Sequence, residues 1–108
     1  MSPFVDNLNM IKVQDHKIYN HGEKIGWVEG GKYIFSEDGK KLGYFTQDEV
    51  YNVEARRIAH VKDNHVYLAG SGDSEDLDDM IEDIEGADLP DIGRLAIRLL
   101  IGSGIDED

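Results

Sequence analysis

The side chains with the most chemistry in them are four histidines and a set of aromatic residues. His16, His21, His60 and His65 are the only imidazoles. Three of them fall in or beside expected turns, and no pair has the i, i+4 spacing of a helical zinc site, so no metal site is expected. The acids between positions 73 and 88 share the composition of a calcium loop. They lack its alternating acid order and its turning glycine. No serine sits in a nucleophile–base arrangement, no Gly-Lys phosphate cradle is present, and cysteine is absent. These residues call for no catalytic group and no cofactor, so a non-enzymatic protein is expected. The aromatic set is Tyr19, Trp27, Tyr44, Tyr51 and Tyr67, with His60 standing where two other units carry Trp27 and Tyr44. The repeated rings Tyr19, Phe35, Tyr51 and Tyr67 are expected as core or core edge; the alternative is a central pocket for a small molecule lined by the aromatic set.

What must position these rings is a repeat. Ile18-Tyr19, Ile34-Phe35, Val50-Tyr51 and Val66-Tyr67 recur every 16 residues. Interleaved with them are Ile25-Gly26-Trp27-Val28, Leu42-Gly43-Tyr44-Phe45 and Ile58-Ala59-His60-Val61, at steps of 17 and 16. β-Branched and aromatic residues dominate both sets, as strands prefer. Asn20-His21-Gly22-Glu23 and Glu37-Asp38-Gly39-Lys40 read as hairpin turns. Val53-Glu54-Ala55-Arg56 is the matching turn without glycine, and a different turn type is expected there. Short polar connections make consecutive strands antiparallel. Leu8-Asn9-Met10-Ile11 reads as a degenerate opening strand. Strict alternation puts Ile25 with Trp27, Leu42 with Tyr44, and Ile58 with His60 on one face. A small residue at 26, 43 and 59 implies close approach of another backbone, as at a pseudo-symmetry axis.

The run Ile34-Phe35-Ser36-x-Asp38-Gly39-Lys40-x-Leu42-Gly43-Tyr44, with its echoes, resembles the bacterial four-fold β-flower proteins over residues 4–70. The resemblance implies four hairpin units about a pseudo-four-fold axis. It implies no agreed activity, so no catalytic residues are carried over. A weak first unit and the glycine-free third turn depart from the pattern.

The 108 residues carry a net charge of −12, very unevenly placed. Residues 1–71 hold nine Lys/Arg and ten Asp/Glu; residues 72–108 hold two Arg and thirteen Asp/Glu. Direct nucleic-acid binding is therefore not expected. Residues 71–108 form a tail distinct from the repeat domain. Leu77, Met80, Ile81 and Ile84 fit one face of a helix capped by Asp73 or Ser74 and ended by Gly86. A second helix runs from Pro90 to Gly102, apolar on most sides through Ile92, Leu95 and Leu99. Such a helix must be covered, either by packing on the sheet or by pairing with a second copy.

The expected fold is thus mainly β with C-terminal helices: four pseudo-symmetric hairpin repeats of period about 16, then two short α-helices. The expected function is binding or assembly, with Leu77, Met80, Ile81, Ile84, Ile92, Leu95 and Leu99 as the partner or oligomer surface. A small-ligand binder and an acidic mimic of nucleic acid in phage–bacteria conflict are the alternatives. No signal peptide is apparent, and the longest apolar stretch, residues 92–101, is short and carries Arg94 and Arg98. A cytoplasmic protein that avoids membranes is expected.

Overall fold

A computed structural model describes residues 11–70, 72–86 and 89–102. Leu8, Asn9 and Met10 of the opening strand lie outside them. Eight strands follow in sequence: β1 (Ile11–Gln14), β2 (Lys17–Asn20), β3 (Glu23–Glu29), β4 (Tyr33–Ser36), β5 (Lys41–Phe45), β6 (Glu49–Asn52), β7 (Arg57–Lys62) and β8 (His65–Leu68). Then come β9 (Ser74–Asp76), α1 (Leu77–Ile81), β10 (Ile84–Glu85), α2 (Asp91–Ile97) and a π-helical turn over Arg98–Gly102. All ten strands form one sheet in the order β10-β1-β2-β3-β4-β5-β6-β7-β8-β9. Every pairing is antiparallel except β1 with β10.

The sequence period reappears as backbone geometry. Register slips by one residue at Ile18/Tyr19, Ile34/Phe35 and Val50/Tyr51. The extra residues in these bulges are Ile25, Leu42 and Ile58. A bulge breaks strict alternation. Ile25, Leu42 and Ile58 accordingly pack against the core, and the expected sharing of a face with Trp27, Tyr44 and His60 is corrected. The small residues beside each bulge have a local cause as well. A Cβ on Gly26 would run into the Phe35 carbonyl oxygen, and one on Gly43 into that of Tyr51 and the Leu100 side chain. The backbone that approaches belongs to the neighbouring strand of the same sheet.

The third turn is also corrected. Ala55 takes φ +66° where Gly39 takes +89°. Asn52 N–H donates to Arg56 O at 2.9 Å, as Ser36 N–H donates to Lys40 O at 2.8 Å. Asn52 Oδ1 accepts from the Glu54 and Arg56 N–H groups, which holds the turn without glycine.

A spacing of 16 in the backbone hydrogen bonds continues past residue 70. Val28, Phe45, Val61 and Leu77 donate N–H bonds to the carbonyls of His16, Lys32, Asp48 and Asn64, acceptors spaced by 16. Ser74–Asp76, expected to open a helix, is instead a strand paired with β8. Pairing with β8 outcompetes helical propensity here. Helix α1 starts later, capped by Asp76, whose carboxylate accepts from Asp78 N–H. It also stops earlier than Gly86, because Ile84 and Glu85 leave it to pair with β1. Pro90 is the N-cap of α2, one residue before the helix.

The core lies on one face of the sheet. Ile18, Ile34, Val50 and Val66 are fully enclosed, each 0% exposed. Over them pack Leu77, Ile81, Ile84, Leu89, Ile92, Leu95, Ala96, Ile97 and Ile101 from the tail. Arg98 is tied to Asp83 at 3.0 Å, and Arg94 to Asp91 and the Ile84 carbonyl. No helix among the described residues is long and apolar enough to cross a membrane.

Candidate binding face

The opposite face of the sheet is uncovered among the described residues, and its composition follows from the same period. In each unit, the residues next to the enclosed Ile or Val point away from the core. Across the hairpins that link units, this places Trp27 opposite Phe35, Tyr44 opposite Tyr51, and His60 opposite Tyr67. Each pair stacks, with ring centroids 5.2, 4.9 and 5.0 Å apart and planes within 2°, 8° and 11° of parallel. Tyr33 leans on Tyr44 at 5.9 Å, with the planes tilted by 56°. The first unit has Lys12 opposite Tyr19 instead of a ring pair.

Just past each bulge a cation stands opposite an aromatic ring: Lys24 by Tyr19, Lys41 by Phe35, Arg57 by Tyr51. Lys24 lies 5.4 Å from the Trp27 ring centre, and Lys41 and Lys32 lie 4.7 and 5.1 Å from that of Tyr33. These cations, with Tyr33 and Phe35, are absent from the sequence-derived site. A signal for them existed, since 24, 41 and 57 step by the same 17 and 16 as the bulge residues.

The polar centre of the face is Glu49. Its carboxylate accepts from Tyr51 OH at 2.7 Å and from the Arg57 guanidinium at 3.0 Å, and its cross-strand neighbour is His60. The Tyr51 hydroxyl, then Arg57, holds the Glu49 carboxyl below its ordinary value. The same hydrogen bond pushes the Tyr51 phenol above its own. A shallow pocket of about 250 Å³ opens where Arg57, His60 and Tyr67 meet Ala59, Leu68 and Ala69. Among the described residues no group of three His, Cys, Asp or Glu is placed to hold a metal ion.

The structure thus brings Trp27, Tyr44, Tyr51, His60 and Tyr67 onto one surface, with Tyr19 toward its β2 end. They form a row of stacked pairs along the sheet and do not converge on one cavity. The apolar candidates fare differently. Leu77, Ile81, Ile84, Ile92 and Leu95 are buried inside the chain's own core, at 7% exposure or less. Met80 and Leu99 are half-buried and pack against that core. No family model, curated protein or solved structure matches the chain.

Proposed function

We propose that this chain is a non-enzymatic binding or assembly protein whose contact surface is the open aromatic face of the sheet. The observation that carries this is the recurrence of stacked ring pairs, with flanking cations, on the face the tail does not cover. Tyrosine, tryptophan and arginine on a firm backbone are the residues that dominate protein contacts. The tail helices spend their apolar residues on the core, which leaves the sheet face as the better surface. A four-unit pseudo-symmetric arrangement of the β-flower kind is part of the same proposal. The recurring bulges and the carbonyl acceptors spaced by 16 support it.

The test is photo-crosslinking in the native host, with a photoreactive residue at Tyr67 on the face or at Asp79 on the acidic helix. Adducts from position 67 and none from 79 support the reading. Adducts from 79 alone, or from neither, contradict it. The pocket beside Arg57, His60 and Tyr67 favours one second reading, a small-ligand site. A thermal shift with a metabolite panel that is lost on Arg57→Ala would support that instead.

A further inference from the structure

We infer that the outer face of β7 and β8 holds a small carboxylate-bearing molecule, met by the side chains of Arg57, His60 and Tyr67. This rests on the small-ligand reading of the pocket beside them and gives its chemistry. It does not depend on what meets the rest of the face.

A break in the repeat argues first. In the first two ring pairs, a carboxylate two residues away on the same strand receives a polar hydrogen from one ring. Trp27 Nε1 donates to Glu29 at 3.2 Å, and the Tyr51 hydroxyl donates to Glu49 at 2.7 Å. The matching positions at the third pair are Lys62, two residues after His60, and His65, two before Tyr67. These two stand opposite each other, and neither offers a carboxylate. The His60 imidazole and the Tyr67 hydroxyl accordingly donate to no protein acceptor among the described residues.

Space argues second. Tyr19, Phe35 and Tyr51 each face a long cation on the next strand, Lys24, Lys41 and Arg57. Tyr67 faces Ser74. The short serine covers less of the ring, which is 38% exposed, and a pocket of about 250 Å³ opens against it. Drug-sized ligands occupy roughly 300–1,000 Å³, so this volume suits a smaller molecule.

Charge argues third. The ionisable side chains that line the pocket are Arg57, His60 and Tyr67, with no acid among the described lining residues. Arg57 donates one N–H to Glu49 at 3.0 Å, and its side chain is 51% exposed. The rest of its five-donor fork is open to a second carboxylate. Lys62 adds positive charge at the turn end of the ring pair. Two acids stand on the adjoining strands of this face, and both are engaged. Glu49 accepts from Tyr51 and Arg57, and Asp76 accepts from the Asp78 N–H. Where the earlier pairs have an internal carboxylate, this one has donors and cations around a recess, and a ligand's carboxylate completes it.

NMR on the full chain tests this by titration with succinate to about 20 mM, a range that covers the affinity of about 1 mM expected of a shallow site. Sodium chloride serves as the control for ionic strength, and uncharged succinamide and inorganic phosphate are titrated beside it. The expected result is saturable shifts at the Arg57, His60 and Tyr67 side chains with succinate and none with succinamide. Arg57→Gln should weaken succinate binding tenfold or more, and Tyr67→Phe severalfold. His65→Glu places a carboxylate where Glu49 serves Tyr51, so it should also weaken binding tenfold or more. Lys40→Gln, which removes a cation from the turn before β5, should change nothing. Circular dichroism melts check that each variant folds. Shifts that never saturate, or that sodium chloride reproduces, overturn the inference. So does succinate binding that survives Arg57→Gln and His65→Glu, or saturable binding of phosphate in place of succinate. A hit from the metabolite panel that is uncharged or cationic, and is lost on Arg57→Ala, leaves the pocket standing and removes the carboxylate. No panel hit together with no succinate shift removes both.

Discussion

The two faces of this sheet are written by the same 16-residue period and have opposite fates. On the inner face the repeated residue is Ile18, Ile34, Val50 or Val66, and each is fully covered. On the outer face the adjacent residue is Tyr19, Phe35, Tyr51 or Tyr67, and Tyr67 is still 38% exposed. A ten-stranded sheet of short strands needs one covered face to be stable, and the tail supplies that cover. The second face has no such cover among the described residues. Aliphatic repetition here serves stability; the aromatic repetition, with cations between the rings, is the contact surface we propose.

That contrast is open to attack from the inner side first. Leu95 is 0% exposed in α2, so Leu95→Ala should cost about 2–5 kcal/mol. With a total stability of about 5–15 kcal/mol, a large drop in melting temperature is expected. Leu95→Asp with Leu99→Asp should unfold the chain. A double variant that melts like the parent would show that the tail is not the cover of the inner face.

Gly43→Ala comes next. The added methyl meets both the Tyr51 carbonyl and Leu100, so about 1–3 kcal/mol of destabilisation is expected in urea unfolding. A neutral result would mean that both β6 and the tail can move away from the bulge at little cost.

Ala55→Gly should do the opposite. Ala55 sits at φ +66° in the turn where the preceding unit has Gly39. Relief of the left-handed strain should add about 1 kcal/mol, seen as a rise in melting temperature. No rise would mean that the Asn52 side-chain bonds already offset the strain.

The smallest effect belongs to the outer face. Tyr51→Phe removes the hydroxyl that lowers the Glu49 carboxyl. A carboxyl depressed on folding stabilises the fold above its unfolded value, near 4.5, and this contribution fades as pH falls through the folded value. The variant should therefore lose less stability on acidification below that point than the parent does, and carbon NMR should show Glu49 titrating higher. Tyr51 has the converse sign. Its raised phenol favours the fold below its ordinary 10.0, and the contribution fades as pH rises through the folded value.

Much of this was legible from spacing. The period placed β2 to β8. It read the repeated rings as core edge or as the lining of one axial pocket, whereas they lie along the outer face of the sheet. It missed what depends on pairing energy between distant segments. Ser74–Asp76 reads as a cap and first turn, yet the open edge of β8 holds it as a strand. Ile84 fits the helical i+7 position, yet it leaves the helix to pair with β1. Bulges are invisible to strict alternation, so Ile25, Leu42 and Ile58 were assigned to the wrong side. The Lys24, Lys41 and Arg57 row was present in the period but hidden, because exposed cations read as solvent surface until their ring neighbours are known.

Solvent paramagnetic relaxation, recorded by NMR with a soluble gadolinium agent at low and high protein concentration, addresses the two-face account most directly. The account predicts that Tyr44, Tyr51 and Tyr67 ring signals broaden strongly in dilute protein, where the outer face is open to the agent. Ile34 and Leu95 methyls should stay sharp at both. Rings as sharp as those buried methyls, even in dilute protein, would contradict an open outer face.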